Sequence, residues 1–161
     1  MGMKIIDNFL PEKEFKDIQS LIMGYEFPWF YCSGCSYPDD GAYHMTHIFY
    51  QPEIGSNSKY LSIWEPMLDR LGVSSVDRIK ANMMMKFPEV FFGDYHTDNL
   101  GKTTGILYIN TNDGYTEMEN GVRVNSIENR YLSFDTALIH RAKHCTKDLR
   151  RIVVNFNYSI L

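Results

Sequence analysis

The chain has 161 residues, 44% hydrophobic and 22% charged, with a formal net charge of −4. That length suits one domain, 1–161, with a sizeable core, and the acidic balance disfavours nucleic acid as a partner held through its phosphates. There is no apolar run long enough for a membrane span. The opening MGMKIIDNFLPEKEF is too acidic for a secretory signal, and three cysteines cannot all pair within one chain. A cytoplasmic protein without membrane contact is expected.

In chain order, a short strand-like start (Met3 to Ile6) precedes Pro11, which suits the first position of a helix, with Glu12 and Glu14 at its positive end. Phe15, Ile18, Leu21 and Ile22 then recur at helical spacing up to Gly24. A second helical pattern runs from Tyr60 to Leu71 and closes at Gly72; Pro66 inside it predicts a kink or two short helices. Beyond Gly72 the pattern turns to strands: Arg78 to Phe87, Thr104 to Asn110, Val122 to Val124, Arg130 to Phe134 and Arg151 to Tyr158. Helices first and strands after predict helices packed on a β-sandwich or small barrel.

The residues that carry chemistry lie among the strands. His96 and Asp98 form an H-x-D pair in VFFGDYHTD. Residues two apart in extended chain share a side, so both can reach one metal ion. An imidazole and a carboxylate suit iron, manganese or zinc, and a second histidine completes a facial triad. Downstream, His140 ends the strand-like run YLSFDTALIH. Arg151 opens RIVVNFNY, whose alternation puts Arg151, Val153, Asn155 and Asn157 on one face and Ile152, Val154, Phe156 and Tyr158 on the other. An inward arginine is expensive to bury without an anionic partner, and its planar guanidinium matches a carboxylate.

His144 is a rival distal ligand, read as a partly exposed residue or a substrate contact. His44 and His47 form H-x-x-H in an aromatic stretch, expected as a loop or strand crossing near the site mouth. Cys32 and Cys35 form C-x-x-C without the βαβ context of a redox motif, so unpaired loop thiols are expected and zinc is the minor reading. Arg141, Lys143, Lys147, Arg150 and Arg151 read as a solvated edge plus one anchor rather than a basic rim, and the nine methionines as core filling. The stretch from Phe27 to Gln51, with Trp29, Phe30 and Tyr31, is either a substrate-covering loop or core.

The order H-x-D, distant His, then Arg resembles the Fe(II)- and 2-oxoglutarate-dependent dioxygenases. DNFLPEKEFKDI, RIKAN, TGILYINTNDGYTEMENG and the segment from FDTALIH to NFNY are most similar to short, prolyl-hydroxylase-like members, including some encoded by marine bacteriophages. The resemblance implies a mainly β (α+β) fold, a double-stranded β-helix or cupin-like jelly-roll with N-terminal supporting helices. It implies iron ligands at His96, Asp98 and His140, with 2-oxoglutarate anchored by Arg151 and helped by Tyr108. Arg150 is the rival anchor, pointing the other way. Asn155 takes the place of a small polar residue beside the arginine, and Phe87 stands where the family often has tyrosine. The activity implied is hydroxylation of a C–H bond of a prolyl, peptidyl or small-molecule substrate, consuming O2 and releasing succinate and CO2. A nucleic-acid-modifying dioxygenase and a non-catalytic, metal-stabilised jelly-roll module are the alternatives. Nothing in the sequence sets an oligomeric state.

Overall fold

The computed structural model describes residues 2–34, 39, 41, 43–98 and 100–160. Cys35, and with it the pairing of the C-x-x-C motif, lies outside the described residues. Strand β1 (Lys4–Ile6) leads into helix α1 (Glu12–Met23). Pro11 is the residue before that helix rather than its first residue: its ψ of 139° is extended, and its fixed φ serves the entry turn. Strands β2 (Phe30–Cys32), β3 (His44–Gln51) and β4 (Ser56–Asn57) follow. The second helical pattern divides into a 3-10 turn (Leu61–Trp64) and α2 (Glu65–Leu71), with Pro66 in the first turn of α2. That is where a missing N–H does no harm. Gly72 ends α2 in the left-handed region, φ 63°.

The remaining strands are β5 (Val73–Met85), β6 (Thr103–Tyr108), β7 (Tyr115–Met118), β8 (Arg123–Asn125), β9 (Tyr131–Asp135), β10 (His140–Lys143) and β11 (Arg150–Ile160). They form an eight-stranded antiparallel sheet, β1-β9-β6-β11-β5-β3-β2 with β4 beside β3, and a three-stranded sheet, β10-β7-β8. The fold is thus mainly β, with the opposed sheets of a double-stranded β-helix and supporting helices. Among the described residues no helix is long and apolar enough to cross a membrane.

Alternation divides the large sheet into two environments. Ile79, Ala81 and Met83 of β5 and Ile152, Val154, Phe156 and Tyr158 of β11 pack with Phe15, Ile18 and Ile22 of α1 and Met67 of α2. Their neighbours Met84 and Val153 turn the other way, joining Ile106, Tyr108, Leu132 and Phe134 against Met118 and Val124 of the small sheet. Met67, Met84 and Met118 are core residues, whereas Met85 is 39% exposed.

Two sequence expectations need correction. The run YLSFDTALIH is not one strand: β9 stops at Asp135, and His140 opens β10 instead of ending β9. Asp135 turns the chain, its carboxylate accepting from the Ala137 N–H (2.9 Å) and its carbonyl from the Leu138 N–H (2.9 Å). The stretch from Phe27 to Gln51 is both core and surface. Phe27 is buried, whereas Phe30 and Tyr31 on β2 are 62% and 68% exposed. His44 and His47 both lie on β3 and are buried. His47 bonds the Pro28 carbonyl (2.8 Å) and Ser58 Oγ (2.9 Å), and burial pushes its pKa down.

Candidate active site

Between the two sheets lies a cavity of about 240 Å³, whose lining includes His96, Asp98, His140, Arg151 and Asn155. The histidines meet through backbone pairing. His96 and His140 form an isolated antiparallel bridge, each N–H donating to the other's carbonyl at 3.0 Å. Such a pair places both side chains on one side, and the rings lie 4.6 Å apart. One ligand atom from each of His96, Asp98 and His140 falls within 4.8 Å of the others.

The hydrogen bonds of the triad prepare it for a cation. His96 Nδ1 is 2.9 Å from the Asp94 carbonyl and His140 Nδ1 is 3.0 Å from the Leu138 carbonyl. A carbonyl only accepts, so each Nδ1 donates, and Nε2 is the ring atom left to face a metal. Burial pushes the His140 pKa down, against the opposing pull of Asp98, which keeps the imidazole in its metal-binding form. At Asp98 burial pushes the pKa up, but electrostatic interaction with His140 and Arg78 and bonds from Thr104 and Asn157 outweigh it and hold the pKa low. Asp98 Oδ2 accepts from Thr104 Oγ1 (2.7 Å) and Asn157 Nδ2 (3.0 Å), whereas Oδ1 has the longer contact to an Arg78 NH2 (3.3 Å). Oδ1 is the oxygen with more capacity left for a metal. Two imidazole nitrogens and one carboxylate oxygen are a donor set that fits Fe(II).

Arg151 sits farther along the β11 face, fully buried. Its Nε donates to Ser126 Oγ (3.0 Å) and NH2 to Thr116 Oγ1 (3.1 Å). Gly114 makes room for it: a Cβ there would lie 2.6 Å from Arg151 Cδ. The rival, Arg150, points to the other face, toward the Met23 carbonyl (3.5 Å). Tyr108 lies behind the lining, donating to Thr116 Oγ1 at 2.8 Å. It therefore reaches Arg151 through Thr116 and its own ring, 5.6 Å from the guanidinium carbon. Asn155 lines the cavity but is four residues from Arg151, paired across strands with Lys80.

Other expectations shift. His144 is fully buried rather than partly exposed, set edge-on to Phe87 (4.8 Å) and Phe91 (5.1 Å). Phe87 stacks on Phe91 at 4.5 Å and does not line the cavity. Cys32 Sγ donates to the Gly34 carbonyl (3.1 Å), and Cys145 is buried. The basic cluster disperses: Arg141 binds Glu117 (2.5 Å), Lys143 is buried against Asp113 (3.0 Å), and Arg151 is the most deeply buried of the five.

Sequence reasoning missed Arg78, Lys80 and Asn82, which line the cavity from β5, and Thr116 from β7. The alternation within RIKANM was the available signal: its polar residues recur at every second position. Alternation put Asn157 on the face of Arg151 but did not give its role, and Thr104 carried no signal, because both roles depend on where the loop after β5 places Asp98.

No protein-family model matches the chain, and no curated protein matches it. Solved structures do. A Pseudomonas putida prolyl-4-hydroxylase matches with a TM-score of 0.71 at 12% identity, over 99% of this chain and 93% of that one. A Trichoplax adhaerens prolyl hydroxylase, in complex with a hypoxia inducible factor oxygen degradation domain peptide fragment, matches at 0.68 and 18% identity, over 98% and 83%. A non-heme alpha ketoglutarate dependent epimerase of nogalamycin biosynthesis matches at 0.69 and 10% identity, over 99% and 78%. One architecture thus hosts different reactions. The chain has the prolyl-hydroxylase-like fold of the 2-oxoglutarate- and Fe(II)-dependent oxygenases.

Proposed function

We propose that residues 1–161 form one catalytic domain, an Fe(II)- and 2-oxoglutarate-dependent dioxygenase that hydroxylates a C–H bond of a prolyl, peptidyl or small-molecule substrate in the cytoplasm. The observation that carries this reading is the presence, in one cavity, of His96, Asp98 and His140 with Arg151.

His96 Nε2, His140 Nε2 and Asp98 Oδ1 would hold the metal, leaving coordination positions for a 2-oxoacid and dioxygen. Bound together, these would supply oxidation of a C–H bond, with succinate and CO2 as co-products. The protein's own contribution is positioning. Arg151, held by Ser126 and Thr116, would receive the far carboxylate of 2-oxoglutarate in a two-pronged contact. Tyr108 fixes Thr116 and so the guanidinium plane. Met84, Ile106 and Val153 give this end of the cavity an apolar wall, which limits water around the cosubstrate chain.

The test is anaerobic addition of Fe(II) and then 2-oxoglutarate, watching for the weak visible charge-transfer band of a 2-oxoacid chelated to iron. The band is expected in wild type, absent in His140→Ala, and displaced to much higher 2-oxoglutarate in Arg151→Ala. A wild type with stoichiometric metal and no band would overturn the reading in favour of a metal-stabilised binding module.

A further inference from the structure

The face of the small sheet turned away from the cavity carries a buried acid. Glu117 lies on β7, the middle strand, and alternates with Thr116 and Met118, which face Arg151 and the core between the sheets. It is 4% exposed. Its register partners are Arg141 on β10 and Arg123 on β8. Oε1 accepts from Arg123 Nε (2.8 Å). Oε2 accepts from Arg141 Nε (2.8 Å) and NH2 (2.5 Å) and from the Tyr95 hydroxyl (3.2 Å). A carboxylate held at both oxygens by several donors fixes geometry better than an isolated surface pair does.

Two of these partners are chain neighbours of the triad: Tyr95 precedes His96, and Arg141 follows His140. The backbone that joins the two histidines is irregular. Between the Phe92–Lys143 and His96–His140 bridges one side has three residues and β10 has two. The extra residue acts as a β-bulge, which interrupts the ladder and re-aims side chains. His96 turns into the cavity, while Phe92 and Tyr95 turn to Arg141, whose guanidinium carbon is 4.1 Å and 4.2 Å from their ring centroids. Both distances are within cation–π range. Arg141 thus spans the irregular stretch, and Glu117 holds Arg141 from the β7 side.

We propose that Glu117 is a positioning residue of the metal site: through Arg141 and Tyr95 it sets the segment carrying His96 against β10, and so the separation of the His96 and His140 ligand atoms. Glu117 is not among the residues that line the cavity, and it acts through its partners. This inference rests on the dioxygenase reading and adds to it a residue on the opposite face of the small sheet.

The test is anaerobic titration of the full, metal-free chain with Co(II), whose visible bands report ligand geometry, beside denaturant unfolding of the same protein. Glu117→Gln keeps the volume and removes the charge. It should bind Co(II) about tenfold more weakly than wild type, the low end for a group behind a ligand, with the bands of the bound metal altered. Arg123→Met takes the other arginine from the same carboxylate, on the β8 side away from the histidines, and should keep wild-type affinity and bands. Tyr95→Phe deletes the bond to Oε2 but keeps the ring over Arg141, and should weaken Co(II) about threefold; it decides the question if Glu117→Gln does not fold. Wild-type affinity and bands in folded Glu117→Gln, or in Tyr95→Phe where that must serve, would overturn the proposal. An equal loss in Arg123→Met would overturn it too, because the carboxylate would then act through the stability of the small sheet alone. A wild type that binds Co(II) but shows no visible band with Fe(II) and 2-oxoglutarate sinks the dioxygenase reading, and the Co(II) comparison still decides the role of Glu117. No Co(II) binding by wild type overturns both.

Discussion

The two faces of the eight-stranded sheet use alternate residues of the same strands for opposite purposes. On β5, Ile79, Ala81 and Met83 close against the helices, whereas Arg78, Lys80 and Asn82 open into the cavity. On β11, Phe156 packs edge-on to Trp64 at 5.0 Å, while the next residue, Asn157, holds Asp98. One face is built from dispersion and apolar burial. The other gathers cations, a buried carboxylate and the Asn155 Oδ1 atom, which has no hydrogen-bond partner among the described residues, an arrangement that stability alone would not favour. A period of two thus separates what holds the fold together from what the fold is for.

Substitutions on the two faces should part accordingly. Phe156→Ala, on the helix side, should lower the free energy of unfolding by about 3–5 kcal/mol, measured by denaturant titration, while the surviving folded fraction keeps its metal affinity. Loss of metal affinity in that fraction would show that the faces are coupled. His140→Ala, on the cavity side, should do the reverse. Metal affinity should fall more than about 100-fold, since even outer partners of a ligand are worth 10–100-fold. The unfolding free energy of the metal-free protein should change by no more than about 1 kcal/mol, because a buried imidazole is itself costly to desolvate. A stability loss as large as that of Phe156→Ala would make His140 a core residue first.

A finer probe lies one layer behind the ligands. Thr104→Val keeps the volume and removes the 2.7 Å bond to Asp98 Oδ2. Metal affinity should fall about tenfold, the low end for an outer-shell partner, because Asn157 still holds the same oxygen. An unchanged affinity would mean that Asn157 and Arg78 suffice to orient the carboxylate.

Legibility in the sequence followed the length over which a period is sustained. RIVVNFNY alternates for eight residues, and both of its faces lie where that alternation puts them. H-x-D, His140 and Arg151 converge on one cavity, although the strand assigned to His140 was wrong, because the turn at Asp135 interrupts a run of strand-forming residues. Strands β7 and β10, of four residues each, are too short for a period to show. Asn155 and Tyr108 illustrate a different limit. Their placement depends on register between strands, which no single segment encodes: Asn155 pairs with Lys80, and Tyr108 reaches Arg151 through Thr116 from a strand of the opposite sheet.

The smallest expected effect concerns the outer end of the small sheet, which must keep β10 and its histidine in place. Asp113 gathers the turn before β11: its carboxylate accepts from Thr146 Oγ1 (2.7 Å), the N–H groups of Thr146 (3.0 Å) and Lys147 (3.0 Å), and Lys143 Nζ (3.0 Å). Burial opposes ionisation there, but these donors outweigh it and hold the Asp113 pKa far below its ordinary 3.8. A depressed carboxylate contributes stability that is fully present above its unfolded pKa and fades as pH falls below it. Asp113→Asn should therefore cost about 1–2 kcal/mol at neutral pH, modest because the side chain is partly screened by solvent. The gap between the two proteins should stay constant from neutrality down to about pH 5 and narrow below pH 4. Denaturant midpoints measured across that range check this. A gap that stays constant down to pH 2 would mean that the bonds, and not the charge, carry the contribution. Metal affinity in Asp113→Asn gives the second reading: if it falls while Phe156→Ala leaves it intact, the cavity depends on the edge of the small sheet more than on the core beneath the large one.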